Sequence, residues 1–276
     1  MKHREGGTEG YISGRLGALE PSTAVFYLAN AVVAAYYVEA EDKQIWRDGL
    51  IDFLAKVDDG TSVYPVLGLG AATWALAQTG DMNSTPVDSN GAGRPYWNDV
   101  NLAELPDILL SHQVPDGELY EGSFYWRFDH TDGGDPEGEA AGYTEDTIFG
   151  TLGLVAADKA NPELDYDSAI LAARDALLVG VQPDGTVYEH LWMDGYIYYF
   201  YAGEMLQGLG ELIIPGDLDL DGGVNFIDFA IFADNWLASG CTRCSWCNGA
   251  DLDESGEVNY VDLEVVAEHW LEGTNQ

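Results

Sequence analysis

Apolar residues recur at the three- and four-residue spacing of a single helix face in seven stretches of the chain: Ser22–Ala40, Lys43–Val57, Tyr64–Gln78, Asn101–His112, Thr144–Lys159, Asp167–Gly180 and Gly195–Leu212. No run alternates apolar and polar residues with the period of two that marks a half-buried strand. The pattern therefore predicts a mainly α fold over residues 1–213. Three of the helices carry glycine among their apolar residues: VLGLGAATWAL from Val66, IFGTLGLVAA from Ile148 and YAGEMLQGLGEL from Tyr201. Glycine has little helix propensity, so its use there points to helices that must approach one another closely.

The connections repeat as well. Leu110–Tyr120 and Leu178–Tyr188 each leave a helix, turn on Pro-Asp-Gly at Asp116-Gly117 or Asp184-Gly185, and end on tyrosine; a looser copy runs from Phe53 through Asp59-Gly60 to Tyr64. Each copy leads, after a loop of variable length, into a glycine-containing helix. This alternation is similar to the α/α toroid of many polysaccharide lyases and glycoside hydrolases, and of terpenoid cyclases with their Asp-Gly turns. Seven helices make fewer hairpins than such toroids commonly have. The resemblance thus implies an incomplete α/α toroid, with further sequence expected before Met1.

The pattern changes at residue 214. Gly216–Leu237 reads GDLDLDGGVNFIDFAIFADNWL and Ala250–Leu271 reads ADLDESGEVNYVDLEVVAEHWL, an internal duplication that pairs Asp217 with Asp251, Asp228 with Asp262 and Trp236 with Trp270. Calcium takes about six to eight oxygen ligands, and a loop of about twelve residues supplies them from positions 1, 3, 5, 7, 9 and 12 with glycine at 6. In the first copy these positions are Asp217, Asp219, Asp221, the Gly223 carbonyl, Asn225 and Asp228, with Gly222 at the turn. In the second they are Asp251, Asp253, Ser255, the Glu257 carbonyl, Asn259 and Asp262, with Gly256 at the turn. Two Ca2+ ions are expected, the second held more weakly because Ser255 offers a hydroxyl in place of a carboxylate.

A final aspartate where an ordinary EF-hand has glutamate, and the lack of a helix entering each loop, make residues 214–276 resemble a type I dockerin. The resemblance implies a cohesin-like partner, gripped at loop positions 10 and 11, where dockerins often have Ser-Thr. Here those positions hold Phe226-Ile227 and Tyr260-Val261, and the helices carry Ala233-Asp234 and Ala267-Glu268 where basic residues are expected. The apolar face is thus expected to meet either a cohesin-like protein or the chain's own helical domain. Between the copies, Cys241, Cys244 and Cys247 have a spacing that suits zinc thiolates, but with no fourth cysteine a disulfide closing the linker is preferred, leaving one cysteine odd.

Charge narrows the partners. Eleven lysines and arginines against 48 aspartates and glutamates give a formal net charge of −37 over 276 residues. Such a surface repels nucleic acid and anionic membranes and favours multivalent cations. The longest apolar run, Ala24–Val38, is too short for a membrane span and is interrupted by Asn30. Residues 1–15 lack the apolar core of a secretory signal. The acidity, the few lysines and the clustered cysteines nonetheless lead us to expect a secreted, extracellular protein whose start lies upstream.

Chemistry is concentrated in the longest irregular segment, Gly117–Tyr143, and the helix start that follows it. Tyr125, Trp126 and Tyr143 are candidates to stack on sugar rings. Asp129, His130, Glu145 and Asp146 are candidates for the acid and base of glycosidic cleavage, in which one group protonates the leaving oxygen while another activates water or stabilises charge. Each has a structural reading too: aromatic residues of helical repeats usually fill the core, Glu145-Asp146 suits a helix N-terminus, and acidic loops are commonly solvated. The expected function is a polysaccharide-active protein, hydrolase or lyase; a non-catalytic carbohydrate-binding or adhesion protein stiffened by calcium is the alternative, and a terpenoid-cyclase-like role comes third.

Overall fold

The structure is a computed structural model that describes residues 7–134, 139–182, 185–192, 199–210, 212, 214–219, 223–241, 247–253 and 255–273. Among these residues the chain forms ten α-helices and no strand longer than an isolated bridge. They are α1 (Gly7–Gly14), α2 (Pro21–Tyr37), α3 (Lys43–Leu54), α4 (Pro65–Gln78), α5 (Leu105–Leu110), α6 (Thr144–Ala160), α7 (Asp167–Gly180), α8 (Tyr199–Gly210), α9 (Phe226–Asp234) and α10 (Tyr260–Glu268). The mainly α expectation holds. Helix α1 was not expected, because its glycines at both ends and its charged approach hide a short apolar face on which only Ile12 is buried. The compact units are Met1–Gly208 and Leu209–Gln276.

In the first unit α2 packs on α3 and on α4, α4 packs most extensively on α6, and α6 packs on α5 and α7. The reason lies in the burial pattern. Every residue of α4 from Pro65 to Ala77 is buried, as is α6 from Thr144 to Ala157 apart from Glu145, whereas α3 and α7 each bury one stripe. Helices apolar all round belong between other helices; helices with one apolar stripe belong outside them. Start signals agree: Pro21 and Pro65 open α2 and α4, and Glu20 accepts the Ser22 and Thr23 N–H groups at the first of these.

Small residues set the α4–α6 distance. A Cβ on Gly70 would lie 2.6 Å from the Phe149 carbonyl oxygen, and one on Gly153 would lie 2.6 Å from Leu109 and 3.0 Å from the Gly70 oxygen. Buried hydroxyls on these helices bond one turn back, Thr73 to the Leu69 carbonyl at 2.8 Å and Thr151 to the Thr147 carbonyl at 2.6 Å, so these two hydroxyls are satisfied despite the close approach.

The Asp-Gly connections keep a common form. Gly117 and Gly185 both have φ of +81°, in the left-handed region that glycine enters without penalty. An antiparallel bridge closes each turn, Gln113 with Phe124 and Val181 with Val187. Asp184 lies outside the described residues, so the expected equivalence of the two aspartates rests on their glycine neighbours.

The second unit folds around Val224, Phe232, Ala250, Val258 and Val266, with Leu218, Leu252, Leu263 and Trp270 packed against them. Its two halves mirror each other. Val224 exchanges backbone hydrogen bonds with Leu271 and Glu272 at 2.8 and 2.9 Å, and Val258 does the same with Leu237 and Ala238 at 3.0 and 2.9 Å. Leu237 and Leu271 take matching positive φ values of 65° and 69°. Cys241 and Cys247 form a disulfide, as preferred over a zinc site, and Cys244 lies outside the described residues.

Candidate functional site

Two places gather chemistry. The first is a cleft of about 280 Å3 in the helical unit, lined by Val63, Tyr64, Trp126, Tyr143, Glu145, Asp146, Glu189 and Tyr201. It lies where α4 and α6 begin. Tyr64 and Tyr143 occupy the residue just before each helix. The irregular segments are pinned there by backbone bonds: the Val66 N–H donates to Trp126 O at 3.4 Å, Trp126 N–H to Ala140 O at 3.2 Å and Thr144 N–H to Glu189 O at 2.9 Å. Trp126 is further fixed by its indole N–H, which donates to Glu139 O at 2.9 Å.

Asp146 sits in the first turn of α6 and is 3 % exposed. The backbone N–H groups of Leu67, in the first turn of α4, and of Asp146 itself favour its charged form, while Oδ1 has no hydrogen-bond partner. Burial pushes its carboxyl well above the usual range, reinforced by the charge of Glu145 and only partly opposed by those two N–H groups. Burial and the nearby Glu189 push Glu145 up as well. Glu204 on α8 is pushed up to about 7 by burial and by Glu145, and its Oε2 likewise has no partner. Asp146, Glu145 and Glu204 thus all hold protons more tightly than ordinary carboxyls, a displacement common where acid–base chemistry is done.

Of the residues predicted for this chemistry, the structure brings Trp126, Tyr143, Glu145 and Asp146 together. Asp129, His130 and Tyr125 do not line the cleft. Asp129 pairs with Arg127 at 3.0 Å and takes the Thr131 hydroxyl at 2.8 Å, and those bonds hold it down at about 2, too acidic to carry a proton. His130 stacks on Tyr125 with ring centroids 4.0 Å apart and shares a hydrogen bond with His112 at 2.9 Å. His112 is buried against Phe128, and burial lowers it to about 4. These residues lock the loop instead of serving the cleft. Sequence reasoning missed Tyr64, Glu189, Tyr201 and Glu204. The repeat register held a signal for the first: Tyr64 precedes its glycine-rich helix as Tyr143 precedes its own.

The second place is the duplicated acidic loops. Carboxylate oxygens of Asp217, Asp219 and Asp228 lie within 4.8 Å of one another, as do those of Asp251, Asp253 and Asp262. Asp217, Asp228, Asp251 and Asp262 are buried. Asp228 Oδ1 accepts the N–H groups of Leu218 and Asp219 at 2.6 and 3.2 Å, and Oδ2 accepts that of Asn225 at 2.7 Å. Asp262 repeats this with Leu252, Asp253 and Asn259 at 2.7, 3.0 and 2.8 Å. Asn225 and Asn259 cap α9 and α10 through their side-chain oxygens, at 2.8 and 2.9 Å from the Ile227 and Val261 nitrogens. Ser255 N–H donates to Asp251 and Asp253, and the Ser255 hydroxyl donates to the Glu257 carbonyl at 3.2 Å. Asp221, expected at position 5 of the first loop, lies outside the described residues, and the Gly223 carbonyl accepts the Asn225 amide at 3.3 Å.

No helix among the described residues is long and apolar enough to cross a membrane. Comparison with protein-family models, with characterised proteins and with solved structures finds no match.

Proposed function

We propose that this chain is a secreted, polysaccharide-active protein whose helical unit is part of an α/α toroid with a glycoside-cleaving cleft, and whose C-terminal unit is a dockerin-like module that takes two calcium ions. The observation that carries the reading is the meeting of Tyr64, Trp126 and Tyr143 with Glu145, Asp146 and Glu189 in one cleft. Aromatic faces offer apolar area to sugar rings, and carboxyls with displaced proton affinities supply the acid and base. The buried Asp146 holds a proton to give the leaving oxygen; Glu145 or Glu189 is placed to receive one from water. The start of α4, whose Leu67 N–H favours the charged carboxylate, moderates the proton affinity of that acid.

The acidic loops fit calcium. Their donors are hard oxygens, and the three carboxylate oxygens of each loop are close enough to share one ion whose ligands stand at about 2.3–2.6 Å. Beyond residue 208 Arg243 is the single lysine or arginine, so the buried aspartates have few side chains to balance them. Bound calcium supplies folding energy here and takes no part in catalysis. Phe226 and Tyr260 are 77 % and 74 % exposed at equivalent loop positions, and these paired apolar tips favour a cohesin-like protein partner.

Incubating the chain with a panel of soluble polysaccharides, with new reducing ends and unsaturated products measured separately, tests the catalytic reading; binding without products would favour the carbohydrate-binding alternative. Calorimetric titration with calcium after chelation tests the module, and absence of heat would remove it.

A further inference from the structure

Among the described residues that line the cleft there is no lysine, arginine or histidine, while three carboxyls, Glu145, Asp146 and Glu189, face it and Glu204 stands close enough to be raised by Glu145. The nearest basic groups are committed elsewhere. His190 lies beside Tyr143, but its Nε2 is held on the Ala141 carbonyl at 2.9 Å and its Nδ1 accepts the Trp192 N–H at 3.3 Å. Burial lowers its proton affinity, which agrees with a neutral ring donating from Nε2. Arg127 rests on the Trp126 ring and is paired with Asp129 and Asp59.

We infer that the cleft selects glycans that bear no acid groups, neutral or amine-bearing sugars, and that it cleaves them by hydrolysis and not by β-elimination. The inference rests on the polysaccharide reading above and narrows it. Elimination removes the proton beside a uronate carboxyl, and that proton becomes acidic only when a cation or strong donor draws charge from the carboxyl. A lining of carboxyls does the opposite, because it raises the energy of a uronate and of the carbanion formed from it.

Hydrolysis suits the same groups. The glycosidic C–O bond breaks as the Asp146 carboxyl gives its proton to the leaving oxygen. Water adds its oxygen to the anomeric carbon, and its proton passes to the Glu145 or Glu189 carboxylate. Positive charge grows on the sugar in the transition state, where surrounding carboxylates help. The unpartnered Oδ1 of Asp146, on a side chain only 3 % exposed, marks a carboxyl oxygen whose hydrogen-bonding capacity the fold itself leaves unfilled.

The test compares charge at constant linkage. The full chain is incubated with uronate polymers and with the same polymers after their carboxyls have been reduced to alcohols, alongside neutral glucans, xylan, mannan and a glucosamine polymer. Reducing ends and unsaturated uronate absorbance are read in parallel. We expect reducing ends from at least one uncharged or amine-bearing polymer, no unsaturated product from any, and kcat/KM at least about 100-fold lower on the uronate member of a pair than on its reduced form. Glu189→Gln should narrow that gap about tenfold by removing one repulsive charge. Unsaturated product, or equal rates on both members of a pair, would overturn the inference while leaving the polysaccharide reading in place. Silence in binding and turnover on every polymer would overturn both.

Discussion

Asp228 and Asp262 allow the folding of the C-terminal unit to be separated from the calcium binding proposed for it. Replacing Asp228 by alanine removes an acceptor shared by three backbone N–H groups at 2.6, 3.2 and 2.7 Å. A hydrogen bond to a charged group contributes about 1.5–3 kcal/mol when lost. Leu218, Asp219 and Asn225 are partly solvated, so water recovers a share, and we expect a net cost of about 3–5 kcal/mol in the absence of calcium. That is comparable with the whole stability of a domain this small. Amide exchange measured on the full chain in a chelator should therefore accelerate across α9 by about 100- to 4,000-fold, at 1.4 kcal/mol per decade. Asp262→Ala should do the same across α10, because its three bonds of 2.7, 3.0 and 2.8 Å are equivalent. Both helices should respond to either change, since Phe232 and Val266 share one core.

Calcium breaks this equality. At about 1,000 times its dissociation constant an ion adds about 4 kcal/mol to the folded state. The first loop, with a carboxylate where the second has Ser255, should hold its ion more tightly, so Asp228→Ala should lose more of the calcium-dependent protection than Asp262→Ala. Asp228→Asn, which keeps one oxygen for Leu218 and Asp219 and forfeits the bond from Asn225, should cost about a third as much as alanine in chelator. Unchanged α9 protection in Asp228→Ala, or chelator effects that differ more than tenfold between the twin variants, would refute the account.

Four further outcomes are expected. Gly70→Ala should lower the thermal midpoint of the helical unit, at a cost of about 1–3 kcal/mol, because its Cβ would meet the Phe149 carbonyl oxygen at 2.6 Å; calorimetry reads this directly. Glu204→Gln should stabilise the helical unit at pH 8 but not at pH 4: a carboxyl raised from 4.5 to about 7 binds its proton more tightly when folded, so its penalty builds as pH climbs through that window, reaching about 1–2 kcal/mol after discounting for partial exposure. Asp146→Asn should cut turnover by at least about 100-fold with little change in glycan affinity, whereas Trp126→Ala should weaken affinity, a split read from kcat and KM. Reduction of the Cys241–Cys247 disulfide should speed amide exchange near residues 239 and 257, whose bridge adjoins it, without reaching α6.

Helices α2, α3, α4, α6 and α7 were legible to within about three residues at each end because each carries a sustained apolar period and a proline, acidic or glycine signal at an end. The segment Asn101–His112 was legible in place but not in form. It begins as a 3-10 turn at Leu102–Glu104, capped reciprocally by Asn101 and Glu104, and becomes α-helical only from Leu105. Pro106 suits the first turn of a helix and not its middle, and that was the available clue. Glycine content told which helices lie close, since Gly70 faces the Phe149 and Gly150 backbone and Gly153 faces the Gly70 carbonyl. It could not tell which helices pair, because that depends on how loops such as 79–101 return the chain.

The site shows where composition misleads. Asp129 and His130 drew attention through their residue types, in a loop rich in such residues, yet the loop uses them on itself: Arg127 claims Asp129, and Tyr125 and His112 claim His130. Glu145 and Asp146 looked like ordinary N-terminal acids favoured by a helix dipole. What turns Asp146 into an acid is the neighbour, for α4 starts beside α6 and buries the carboxyl between two first turns. A dipole alone would have lowered its proton affinity; desolvation between paired helices reverses the sign. Such reversals are set by tertiary packing, and the sequence announces them only through repetition. Tyr64 and Tyr143 stand in the same register ahead of helices whose glycines bring them together, so the repeat held a signal for the cleft that residue type did not.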